Sequence, residues 1–184
     1  IQGAAGHSSD PSLGHNALET MHPVMGALMQ FRDELAQQHQ HPSFAVNVPT
    51  LNLGCLRAGD NPNRICGHAE LQIDLRLLPG MDSDAIHKQL EQRCHDAVAG
   101  SHTQLTVSTV YPPIPPFESA ADGELTTTLA ALSGKAPGTV AFGTEAHFLQ
   151  TLGMQTVVWG PGSIDQAHQP NEYLEQSHIR PAIE

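Results

Sequence analysis

Between His68 and Leu77 the chain alternates without a slip: Ala69, Leu71, Ile73, Leu75 and Leu77 are apolar, and His68, Glu70, Gln72, Asp74 and Arg76 between them are polar. A period of two sends the two sets to opposite faces of one strand, so this segment belongs in a sheet with one buried face and one wet face. Such a sheet needs amphipathic helices on its apolar side. Two helical patterns supply them. Asn16 reads as the N-cap of a helix reaching about Gln38, with Leu18, Met21, Met25, Leu28 and Leu35 at helical spacing and Val24 and Phe31 widening the stripe. The Met-rich stripe reads as core or subunit interface. Pro23, in the second turn, removes one backbone donor and predicts a kink or a later start. After Pro79-Gly80 ends the strand, Asp82 reads as the cap of a second helix with the apolar line Ile86, Leu90, Cys94 and Ala97/Val98.

The remaining strand signals are a short N-terminal stretch, Ala45–Leu56 (interrupted by Pro49) and Leu105–Val110, with Gly59-Asp60-Asn61-Pro62-Asn63 as a strong turn. The order strand, helix, strand, strand, helix, strand predicts an α+β fold of ferredoxin-like, or split βαβ, topology. Tyr111-Pro-Pro-Ile-Pro-Pro-Phe117 then places four prolines in seven residues, which stiffens the chain and marks a boundary. Beyond it, a helix near Leu125–Leu132, a strand at Thr139–Phe142, a helix from about Glu145 to Leu152 and an apolar strand Thr156–Trp159 read as part of a larger α/β sheet. The expected organisation is a first domain over residues 1–111, a linker over 112–117, and a partial α/β segment over 118–184. That last piece is too short to bury a convincing core of its own. The chain has no initiator Met and stops at Arg180-Pro-Ala-Ile-Glu184, where a last helix should begin, so both ends read as cut from a longer polypeptide.

The formal net charge of −11 repels phosphate backbones, which argues against nucleic-acid binding. No apolar run reaches the length of a membrane span. Cys55, Cys66 and Cys94 form no CxxC pair and cannot all be bridged, which reads as reduced thiols in a cytoplasmic protein. Twelve histidines are too many to be ligands, and most must be surface or cap residues.

The densest chemistry lies in GPGSIDQAHQPNEYLE, Gly160–Glu175. A buried strand opening into a Gly-Pro-Gly loop is where α/β sheets place ligands, and the loop then presents His168, with Glu172 four residues on. An imidazole here could serve a zinc-type cation while a carboxylate orients its other nitrogen. No four-ligand cluster of Cys and His stands in the sequence, which argues against a structural zinc site.

Several blocks together resemble the M20 metallopeptidase family: GHSSDPSLGHNALE (Gly6–Glu19), PTLNLG (Pro49–Gly54), GDNPNRICGHAELQIDLRLLPGM (Gly59–Met81), PPIPPFE, GTEAHFLQTLG (Gly143–Gly153) and GPGSIDQAHQPNEYLE. They occur in the family's order over nearly the whole chain and are nearest its branch acting on N-acyl amino acids. The resemblance implies a catalytic α/β domain interrupted by a ferredoxin-like lid that forms a homodimer. It implies two metal ions per subunit, zinc with cobalt as an alternative, and removal of the acetyl group from N2-acetyl-ornithine in arginine biosynthesis. A succinyl-diaminopimelate or other N-acyl amino acid substrate, and a dimerisation module without catalysis, stand as the alternatives.

On that resemblance His168 is a metal ligand, and His7 reaches across the dimer to stabilise the oxyanion in the partner's site. Asn63 and Arg76 are implied to hold substrate, Arg76 by a fork-to-carboxylate contact, while Thr144, Glu145, Gly160 and Gly162 line the pocket. Each also has a plainer reading. His7 could bond the Ser8-Ser9 turn, Asn63 could be a turn residue, Arg76 a surface ion pair, Glu145 a helix N-terminal acid and Glu172 a solvated residue. The family's His-x-Asp motif and Glu-Glu pair have no counterpart here, so one expected ligand and no general base remain, and this chain alone is expected to be inactive.

Overall fold

The computed structural model describes residues 1–184, which divide into two compact units, Ile1–Pro116 and Phe117–Glu184.

In the first unit, α1 (Ala17–Gln38) starts where its cap chemistry dictates. The Asn16 side-chain oxygen accepts from the Leu18 and Glu19 backbone amides, satisfying two otherwise orphaned donors, and the Asn16 side-chain NH2 donates to the Glu19 carboxylate at 2.9 Å. The helix begins at Ala17 and runs through Pro23, so the later start expected from that proline does not occur. Pro23 faces solvent, where water can serve the carbonyl that loses its amide partner. The buried stripe is Ala17, Met21, Val24, Leu28, Phe31 and Leu35, stepping by four and three. Leu18, expected on that stripe, lies off it at 44% exposure.

Strands β1 (Thr50–Ala58) and β2 (Ala69–Arg76) pair antiparallel, from Thr50 opposite Arg76 to Ala58 opposite Ala69. The register shifts between Leu53 and Cys55, a bulge at Gly54. That extra residue changes the phase of β1, so that Leu51, Leu53 and, five residues on, Ala58 all reach the core. β2 keeps strict alternation, its polar residues exposed and Leu71, Ile73 and Leu75 packed inward. α2 (Ser83–Ala97), capped by Asp82, buries Ile86, Leu90 and Cys94. α1 packs against α2 and against both strands. The Arg93 guanidinium of α2 lies 4.8 Å from the Phe31 ring and pairs with Glu34, tying the two helices together.

The outer strands are reduced to bridges. Gln2 pairs antiparallel with both His68 and Gln104, which sets the order Gln104, Gln2, β2, β1. That is the strand order of a ferredoxin-like sheet with helices on one face, as expected for this α+β fold. Three expectations need correction here. The N-terminal strand is a string of single bridges. The strand expected over 45–56 begins only at Thr50, after bends through the preceding residues. Leu105–Val110 forms no strand: past the Gln104 bridge no ladder forms, although Leu105 and Val107 still pack on the core.

The second unit contains α3 (Glu124–Ser133), α4 (Ala146–Thr151) and α5 (Ile179–Ile183). Neither Thr139–Phe142 nor Thr156–Trp159 is a strand. A strand needs a neighbour for its backbone groups, and instead of a ladder the Thr156 carbonyl accepts from the Ser119 hydroxyl. Val158 and Trp159 stay exposed, and Ala146 is the one buried hydrophobic residue of this unit. No helix in the chain is long and apolar enough to cross a membrane.

Candidate active site

The N-terminal segment runs antiparallel to residues 64–68. Gly3 donates to the Gly67 carbonyl at 2.9 Å, Ile65 to Gly6 at 2.8 Å and Ser8 to Asn63 at 3.1 Å. The last two bonds bracket His7 and Arg64, which therefore form a non-hydrogen-bonded antiparallel pair. In such a pair the opposed side chains emerge on the same face at the closest cross-strand spacing.

This pair sits at one end of the sheet beside the Gly59–Asn63 turn, which Gly59 enters with φ +66°, a conformation suited to glycine. Ala5, Gly6, His7, Asn61, Asn63 and Arg64 line an open hollow of about 460 Å³. The His7 side chain is exposed, and the Ser8-Ser9 turn is closed by the His7 carbonyl accepting from the Asp10 amide at 3.2 Å. The ring itself does not make that bond. Arg64 Nη1 donates to Asp60 at 2.5 Å, and both residues are solvated. The fold thus brings His7 and Asn63 to one hollow. Asn61 and Arg64 line it as well and were missed from the sequence. The signal for Arg64 was its place opposite His7, which depends on a register that a strand of single bridges does not print.

Arg76 lies elsewhere. It ends β2, about 26 Å along the strand from His68 at roughly 3.3 Å per residue, and its Nε pairs with Asp74 at 2.7 Å. The structure does not bring it to His7 and Asn63.

The other candidates lie in the second unit. Thr144 Oγ1 accepts from the Ala146 amide at 3.2 Å, at the start of α4. Glu145 occupies the N-cap position without a side-chain cap bond. Gly162 has φ +102°, and a Cβ there would stand 3.3 Å from Leu174, so the loop requires glycine at this point; Gly160 is open on all sides. His168 is the one non-glycine residue with positive φ, +62°, an uncommon conformation for a side-chain-bearing residue. Its amide donates to the Glu172 carboxylate at 3.1 Å, which folds the loop back on itself. Glu172 is therefore a loop clasp and not merely a solvated residue.

Around His168 the donor set is one imidazole and one carboxylate already engaged by a backbone amide. No group of three or more His, Cys, Asp or Glu side chains in the chain could hold a metal ion. A dinuclear metal centre does not fit the residues that this chain supplies by itself.

A family model described as the M20 peptidase dimerisation domain matches residues 1–101. The chain belongs to that family. It is 44% identical over 183 residues to an acetylornithine deacetylase of Aliivibrio fischeri (strain MJ11), covering 100% of this chain and 48% of the relative. It is 46% identical over 184 residues to an acetylornithine deacetylase of Klebsiella pneumoniae (strain 342), with the same coverage. The chain spans about half the length of the curated relatives it matches. Among solved structures, the M20 family metallo-carboxypeptidase Sso-CP2 from Sulfolobus solfataricus superposes with a TM-score of 0.66 at 15% identity, covering 100% of this chain and 53% of that one. The aminopeptidase PepT from Bacillus cereus ATCC 10987 gives 0.62 at 19% identity, covering 89% and 43%. At such identities the likeness shows the fold alone.

Proposed function

We propose that this chain is the lid and dimerisation domain (1–111), the proline-rich linker (112–117) and a C-terminal segment of the catalytic domain (118–184) of a cytoplasmic, metal-dependent N-acyl amino acid amidohydrolase. Its substrate is N2-acetyl-ornithine, cleaved to ornithine and acetate in arginine biosynthesis. The observation that carries this reading is identity of 44–46% along the entire chain to proteins named acetylornithine deacetylase.

In this reading the subunits form a homodimer through the lid. His7 then enters the partner's site, where its ring N–H donates to the oxygen on which negative charge develops. Its exposed ring, free of the neighbouring turn, suits that task. Asn63, beside it in the hollow, offers an amide to the same substrate, while Arg76, at the other end of β2, grips the carboxylate of a substrate in a different subunit's site. Thr144, Glu145, Gly160 and Gly162 shape the pocket wall. His168 supplies one ligand to a metal centre, zinc with cobalt as substitute, whose other ligands lie outside this chain.

A second reading, a dimerisation module without catalysis of its own, is favoured by the match of residues 1–101 to the M20 peptidase dimerisation domain. Both readings meet in one assay. The 184-residue chain, with zinc or cobalt added, is expected to elute as a dimer and to leave N2-acetyl-ornithine intact. Metal-dependent turnover by this chain alone would overturn the division of labour proposed here, and a strictly monomeric chain would overturn the dimer.

A further inference from the structure

We propose that Arg64 is a second anion-binding group beside His7, and that the hollow they share is a binding site for a small carboxylate. The geometry points there from three directions. His7 and Arg64 are directly opposed in a non-hydrogen-bonded pair, so both side chains rise from one face of the same hollow. The guanidinium has five N–H groups, and Asp60 engages only Nη1, leaving Nε and Nη2 to donate. Asp60 is not among the residues lining the hollow, so the carboxylate that holds Arg64 Nη1 is not part of the hollow's wall.

Charge sharpens the inference. The chain carries 19 acidic residues against 8 Lys and Arg, a field that repels anions in general. Arg64 is the one Lys or Arg among the six residues lining the hollow. A planar fork beside an imidazole and the amide of Asn63 is donor-rich and matched to a carboxylate. A solvated ion pair such as Arg64–Asp60 contributes little to stability, so fold maintenance is a weak reason for its placement.

This inference rests on the reading that His7 meets the acyl oxygen. There the group that gathers charge during amide cleavage, and the acetate that results, would be held by two donors, His7 and Arg64. Arg64 is then a catalytic residue in the partner's site, distinct from Arg76, which ends β2 well away from the hollow.

The test is titration of the 184-residue chain with sodium acetate, at constant ionic strength maintained with sodium chloride, following the His7 ring signals by NMR. Acetamide, neutral and of the same shape, is the control. We expect saturable shifts with acetate and none with acetamide, at least ~10-fold weaker acetate binding in Arg64→Gln, and partial recovery in Arg64→Lys. Acetate binding that Arg64→Gln leaves unchanged, or equal response to acetate and acetamide, overturns the proposal; so does the absence of any acetate response. Failure of the parent reading looks different. If acetate binds in an Arg64-dependent way but His7→Gln leaves deacetylation by the assembled enzyme intact, the carboxylate site stands and the assignment of His7 falls.

Discussion

Phe31 is the keystone of the first unit, and its removal has a calculable effect. The ring is 1% exposed, lies in the cluster that joins α1 to both strands and to α2, and carries the Arg93 guanidinium at 4.8 Å. Phe31→Ala removes the ring's burial and leaves a cavity between elements that cannot close it, a loss of about 3–5 kcal/mol. Against a total of about 5–15 kcal/mol for a unit of this size, that is a large share. With a urea slope of about 2 kcal/mol/M the midpoint should fall by roughly 1.5–2.5 M. The readout is helical ellipticity, which α1 and α2 dominate. Fluorescence would mislead, because the single tryptophan, Trp159, belongs to the other unit. Phe31→Leu keeps most of the burial and should cost clearly less. A loss below about 1 kcal/mol for the alanine variant, or equal losses for both, would refute the packing described here.

Three further outcomes follow from the same geometry. A Cβ at Gly3 would stand 2.1 Å from the His15 carbonyl oxygen, so Gly3→Ala should displace the N-terminal segment and cost about 1–3 kcal/mol, seen as lost hydrogen-exchange protection at the Ala4 and His15 amides. Burial, helped by the charge of Glu91, pushes the Cys94 thiol up to about 11. At pH 8 only about one Cys94 in a thousand is then thiolate, so iodoacetamide followed by peptide mass mapping should modify half-buried Cys55 well before Cys94. The Arg93 hydrogen bond, and then that of Gln30, hold the Glu34 carboxyl below the usual range. A depressed carboxyl contributes stability above its unfolded value, lost as pH falls through the folded one, so the wild type should lose more stability than Glu34→Gln on acidification below about pH 4.3 in urea titrations.

What the sequence reveals depends on how local the cause is. Asn16 and Asp82 announce α1 and α2 because a cap is decided within four residues, and β2 is legible because alternation needs nothing beyond the strand itself. Leu105–Val110, Thr139–Phe142 and Thr156–Trp159 carry strand composition, but a strand exists only where another segment supplies its ladder, and composition is blind to that. The hollow divides in the same way. His7 and Asn63 are marked by the motifs they stand in, whereas Arg64 joins the hollow by sitting opposite His7 across fifty-six intervening positions. Arg76 is visible as a polar residue of β2, yet only the structure places it at the other end of the sheet.

The central claim is that this chain lends His7 to a neighbouring subunit's amidohydrolase site, and mixed dimers test it most directly. In the complete protein proposed to contain this chain, His7→Gln and His168→Ala should each be inactive towards N2-acetyl-ornithine. Mixing and re-pairing the two kinds of subunit should restore about a quarter of the unmutated activity, since half of randomly paired dimers are mixed and each keeps one intact site. Mixtures as inactive as their parents would contradict the account, because His7 would then serve its own subunit or none.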